Sequence, residues 1–99
     1  MARRHVELHP AALAEARAAR QWYAAGSPQA ADAFMSELDR GIELIAESPE
    51  RWPTYHLGTR RLLFNRFPFS LVFRVKDESI TVVAVAHAKR RPAYWQQRR

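Results

Sequence analysis

The sequence has no cysteine, only three glycines and no long apolar run. Without cysteine there are no disulfides, no thiolate zinc ligands and no cysteine nucleophile. Gly26, Gly41 and Gly58 show no G-x-G spacing, so the glycine-rich loops that cradle nucleotide phosphates are excluded. A bilayer span needs about 18 consecutive apolar residues, and none is present. The start, Met1-Ala2-Arg3-Arg4-His5, leads into a mixed segment rather than the apolar core of a signal peptide. A cytoplasmic protein with no membrane partner is therefore expected. No H-E-x-x-H and no Asp/Glu/His cluster at metal spacing occurs. His5 and His9 are four apart, but across a strand–helix junction, where that spacing does not make a metal pair. No metal and no cofactor are expected.

Acid is scarce in one half. Residues 1–50 carry five arginines against eight acids, a balance of −3, whereas residues 51–99 carry eleven Lys/Arg against only Asp77 and Glu78, a balance of +9. Such asymmetry suggests a basic surface turned to a polyanion or an acidic partner. With 99 residues, 47% of them hydrophobic, the chain suits one folded domain over 1–99 with a single core. No repeat, low-complexity tract or domain boundary interrupts it.

Periodicity places the elements. Arg4–His9 alternates as a short strand. Pro10 suits a first helical turn, and Ala11–Ala25 is rich in helix formers, with Gly26 expected as a left-handed C-terminal cap. Ser27-Pro28 opens a second helix as N-cap and first residue. Ala30, Phe34, Leu38, Ile42 and Ile45 then recur at helical spacing, up to the stop at Ser48-Pro49. Residues 50–59 read as an ordered loop. Arg61–Asn65 is a short strand, Phe69–Val75 alternates, Lys76–Ser79 is a turn, and Ile80–Ala86 is apolar on both faces except Thr81, as a central strand is. Pro92 is expected to start a short C-terminal helix carrying Tyr94 and Trp95. The order β-α-α-β-β-β-α defines an α+β fold, with a helical hairpin covering one face of a small antiparallel-rich sheet.

The candidate binding residues are Arg60, Arg61, Arg66, Arg74, Lys89, Arg90, Arg91, Arg98 and Arg99, a density suited to phosphate. A solvated face is the plain alternative, although adjacent pairs such as Arg60-Arg61 and Arg90-Arg91 repel without an anion nearby. His87 closes the most apolar strand beside Lys89-Arg90-Arg91. It is either a proton carrier at a phosphodiester or a histidine bonded to backbone at a strand end. Trp22, Trp52 and Trp95 are expected to pack rather than stack on bases, with Trp95 pinning the C-terminal element to the sheet.

The stretch Arg61-Leu62-Leu63-Phe64-Asn65-Arg66-Phe67-Pro68-Phe69-Ser70-Leu71-Val72-Phe73 resembles the arginine-plus-Phe-Pro-aromatic strand pair of the RelE/ParE toxin superfamily. Ile80–His87 followed by Arg91-Pro92-Ala93-Tyr94-Trp95 is similar to that superfamily's last strand and C-terminal element. Tyr23, Ala30, Phe34, Leu38, Ile42, Ile45 and Pro49 match its helical hairpin, so the likeness covers nearly the whole chain. It implies a toxin of a type II toxin–antitoxin pair, held in a hetero-oligomer by an antitoxin whose acidic C-terminal segment wraps it. The superfamily has two branches, metal-independent endoribonucleases that cut messenger RNA on the ribosome and non-enzymatic poisons of DNA gyrase. On the ribonuclease pattern, Arg61 and Lys89 would stabilise the phosphate while His87 or Tyr94 moved protons. Leu63 and Ser70, however, stand where a lysine and an arginine are expected, and Trp95 replaces the C-terminal tyrosine. These departures favour the gyrase branch, with the basic set as its contact surface. A non-toxic binding module of the same fold is the third reading.

Overall fold

The computed structural model describes residues 3–98. Strand β1 (His5–Leu8) leads into helix α1 (Pro10–Gly26), helix α2 (Pro28–Glu47), two short 3-10 turns (Pro49–Arg51 and His56–Gly58) and strands β2 (Arg60–Leu63), β3 (Phe69–Lys76) and β4 (Ser79–His87). The α+β class and element order expected from the sequence hold through β4.

Pro10 sits in the first turn of α1, and the His9 ring caps it by accepting the Ala11 N–H through Nδ1 at 3.0 Å. Ala12, Ala16 and Ala19 face inward and are buried. Side chains this small let α1 approach the sheet closely. The link to α2 is the single residue Ser27. Ser27 ends α1 by donating its N–H to the Tyr23 carbonyl at 2.8 Å, and starts α2 by accepting the Ala30 N–H on Oγ at 3.2 Å. Gly26 is not the left-handed cap expected of it, since it closes the helix itself and only Gly58 among the glycines has a positive φ. With Ser27 extended at φ −164°, the chain reverses without left-handed backbone at that point. On α2 the buried stripe is Ala31, Phe34, Leu38, Gly41, Ile45 and Ala46. It is rotated slightly from the expected one, because Gly41 has no side chain to hold it off the sheet. A Cβ there would lie 2.9 Å from Leu71 Cδ1.

The sheet order is β1-β4-β3-β2. β1 runs parallel to β4, while β4–β3 and β3–β2 are antiparallel. Val72 faces Ala84 and Phe73 faces Val82, leaving Val83 without an opposite residue. This β-bulge puts two neighbours of β4 on one face. Accordingly Val82 and Val85 join the core under the hairpin with Phe34, Leu38, Ile45, Leu71 and Phe73, while Val83, Ala84, Ala86 and Val72 pack with Trp95 on the other face.

Beyond β4 the chain does not form the expected short helix. Residues 92–97 are consecutive turns, with three-residue hydrogen bonds from Tyr94 to Arg91, Gln96 to Ala93 and Arg98 to Trp95. Ala93 adopts a left-handed φ of 61°, which a right-handed helix cannot contain. Trp95 nonetheless pins the segment as expected and is 1% exposed. Trp22 departs from its expected packing and is 73% exposed. Among the described residues, no helix is long and apolar enough to cross a membrane.

Candidate target-binding surface

Strand alternation decides what the sheet presents opposite the hairpin. Cross-strand partners share a face, so Arg61 lies on the Val72–Ala84 row, Leu63 on the Ser70–Ala86 row, and Arg74 beside Thr81. Among the described residues, this open face carries the Trp95 cluster, with Tyr55, Ala93 and Tyr94 packed against it.

The expected cations separate by what already holds them. Arg60 donates to the carbonyls of Trp52 at 2.6 Å and Glu50 at 3.3 Å, which ties the 50–59 loop to β2. Arg98 is paired with Glu15. Arg61 lies over the Tyr55 ring at 4.1 Å, and Arg74 donates to the Arg98 carbonyl at 2.9 Å and lies 6.0 Å from the Trp95 ring. These two are half-buried but keep unsatisfied guanidinium donors, since an arginine has five N–H groups. Arg66, Lys89, Arg90 and Arg91 are exposed, with Arg90 stacked over Tyr94 at 3.8 Å. Arg99 lies outside the described residues. The paired arginines that looked repulsive in the sequence are thus separated in space, Arg60 toward loop carbonyls and Arg61 toward an aromatic ring.

One arrangement had no sequence signal. β1 covers β4 only from Ser79 to Val82, so the edge of β4 is bare from Val83 onward. Side chains complete it. Glu15 of α1 accepts the Val85 N–H at 3.0 Å, and Arg98 donates to the Val83 carbonyl at 3.0 Å. The two join through paired contacts of 2.9 and 3.0 Å, with only 17% and 19% of their side chains exposed. Tyr94 adds a 2.7 Å hydrogen bond from its hydroxyl to Glu15. Burial first, and then the Glu15 carboxylate, push the Tyr94 phenol well above the ordinary tyrosine range. The same carboxylate raises Arg98 further. This hydroxyl is a fixed donor and is poorly placed to accept a proton. Glu15 and Arg98 are 83 positions apart, which is why no local pattern reveals them.

The ribonuclease-type set is brought together only in part. Arg61 is on the open face, but His87 pairs with Phe69, ring to ring at 5.0 Å, on the hairpin side. His87 accepts the Lys89 N–H on Nδ1 at 3.0 Å, and Lys89 lines a groove with Ala19, Trp22, Tyr23, Pro68 and Phe69. His87 and Lys89 therefore meet at one end of the hairpin side, His87 also shares a cleft with Glu15, Arg90 and Tyr94 at the β4 edge, and Arg61 lies across the sheet. On the open face, the row Leu63–Ser70–Ala86 holds neither a cation nor a proton carrier, and Leu63 is 63% exposed. Among the described residues, no group of His, Cys, Asp or Glu is placed to hold a metal ion.

A helical hairpin on one side of a four-stranded sheet, with Arg61, Arg74 and Lys76 on the other, defines a small α+β protein with one open, cationic face. Comparison gives the family. The model of the ParE toxin of type II toxin–antitoxin systems, parDE, matches residues 6–92, and the chain belongs to that family. Among solved structures, a chain of the chromosomal ParDE TA system from P. aeruginosa shares the fold, with a TM-score of 0.75 at 22% identity, covering 87% of this chain and 97% of that one. No match was found among the curated proteins.

Proposed function

We propose that this chain, acting as one unit, is a growth-inhibiting toxin that poisons DNA gyrase and is neutralised by a cognate antitoxin with an acidic C-terminal segment. The observation that carries this reading is the Leu63–Ser70–Ala86 row. Cleaving a phosphodiester without a metal requires cations at the developing pentavalent phosphate and a group to move protons, and this row supplies neither. The separation of His87 from Arg61 across the sheet and the engagement of Tyr94 by Glu15 favour the same side. The ParDE system of P. aeruginosa whose chain shares this fold supports a toxin–antitoxin pairing, and the balance of +9 in residues 51–99 suits an acidic antitoxin tail that folds on binding.

The test is a supercoiling assay with purified gyrase, ATP, relaxed plasmid and the protein freed of antitoxin. Cleaved plasmid or lost supercoiling is expected, and Arg90→Glu with Arg91→Glu should abolish it. Undisturbed supercoiling at excess protein would remove the gyrase reading. Messenger RNA cut within the ribosomal A-site codon would then establish the ribonuclease branch.

A further inference from the structure

A cleft of about 430 Å³ opens on the face away from the hairpin, between β3–β4 and the C-terminal turns, lined by Arg74, Lys76, Thr81, Gln96 and Arg98. We propose that it is a phosphate-binding subsite that takes the sugar-phosphate backbone of DNA. The inference rests on the gyrase reading in one respect, that DNA is the nucleic acid already present in a gyrase complex.

Three features of the cleft lead to this ligand. First, the charge of its lining is of one sign, with Glu7, the β1 partner of Thr81, at the border and 3.4 Å from the His5 ring. Arg74 and Lys76 are two residues apart on β3 and so project from the same face, about 7 Å apart along the strand. No carboxylate is among the lining residues. Arg98 turns its guanidinium to Glu15 and Val83, so it anchors the wall rather than charging it. Second, Arg74 is preorganised. The Arg98 carbonyl accepts one of its N–H groups at 2.9 Å and the Trp95 ring lies beside it, which fixes the side chain while leaving other donors free. Third, the charged groups offer donors only, and Thr81, the cross-strand partner of Arg74, and Gln96 add neutral donors. A phosphodiester backbone is an acceptor-only ligand with regularly repeated charge, so it can engage both cations together. Lys76, Thr81 and Gln96 are outside the basic set read from the sequence, and the fold adds them by juxtaposition.

The experiment is fluorescence anisotropy of a short labelled DNA duplex titrated with the protein from about 50 to 200 mM salt, with no gyrase present. The protein should bind with an affinity that falls steeply with salt. Lys76→Ala, at an exposed position, should weaken binding about five-fold and lower the salt slope by about one. Thr81→Val should weaken it roughly two-fold through its lost hydroxyl, and Arg17→Ala, exposed on α1, should change neither. An unchanged melting temperature for each variant separates contact loss from misfolding. Absence of binding at the lowest salt, or parental affinity and slope in both cleft variants, would overturn the proposal. So would displacement of the duplex by polyglutamate at equal charge, which would assign the cleft to an acidic protein, or equal affinity for an RNA duplex of the same sequence. If these results hold but supercoiling is undisturbed, the cleft stands and the gyrase reading falls.

Discussion

The hairpin side of the sheet is closed by two helices that bury a continuous aromatic and aliphatic core, with Phe34 touching the rings of Tyr23, Phe64, Phe67 and Phe69 at centroid distances of 5.1–5.6 Å. The other side is closed by one indole, Trp95, on a bed of Val72, Val83, Ala84 and Ala86, and beyond that bed the strands carry Arg61, Arg74 and Lys76. The same strands thus have a thick apolar cover on one side and a thin, cationic one on the other. The difference shows how a chain of 99 residues meets two demands. Stability is concentrated where burial is deep, and the opposite face is left free to hold charge in register.

The sharpest way to break this contrast is Phe34→Ala. Phe34 is fully buried, so a loss of about 3–5 kcal/mol is expected, read as a shifted midpoint in urea denaturation. A cost under about 1 kcal/mol would mean that the hairpin core is not the main source of stability. Trp95→Ala tests the thin side. A loss of about 3 kcal/mol is expected, accompanied by faster hydrogen exchange confined to residues after His87. Exchange rising equally under the hairpin would show that the two sides are not energetically separate. Glu15→Gln lies between them. It removes the charge that Arg98 faces while keeping the shape, and at this partial exposure about 1–2 kcal/mol is expected, with protection of the Val85 amide falling most. The smallest effect concerns pH. Tyr94 has a folded-state pKa raised above the ordinary tyrosine value of 10.0. Its contribution is therefore complete below about pH 10 and is lost as pH climbs toward the folded value. Denaturation midpoints at pH 9 and 11 should show the parent losing more stability than Tyr94→Phe, and equal losses would remove Tyr94 from the account.

Much of this arrangement was legible locally. Ser27-Pro28 announced α2 because a hydroxyl cap and an N1 proline act within one turn, and the Phe34–Leu38–Ile45 stripe needs only helical period. The apolar run Val82–Ala86 of β4 marked a central strand because both of its faces are covered. That same property hid the bulge. When every residue is apolar, a one-residue slip in facing leaves no mark on the pattern. Tyr94 and Trp95 after Pro92 suggested a helix, and nothing local disclosed the left-handed Ala93. The family resemblance located Arg61, His87, Lys89 and Tyr94 along the chain but not across the sheet. Only the register β2–β3–β4 shows that Arg61 and His87 point to opposite sides. Glu15 was legible as a polar residue of α1 and as nothing more, because its partners Val85, Tyr94 and Arg98 arrive from the far end of the sequence.

The Glu15–Arg98 pair standing in for a missing strand bears on how these molecules behave in a crowd. A bare stretch of sheet edge is a template for another copy. Here its N–H at Val85 and its carbonyl at Val83 are taken by side chains of the same molecule. The guard depends on one side chain in the turns after β4, so Arg98→Ala would leave most of the core untouched while unmasking an adhesive seam. Such a variant is then expected to fold and to self-associate, so that solubility, more than folding, is what the Arg98 side chain protects.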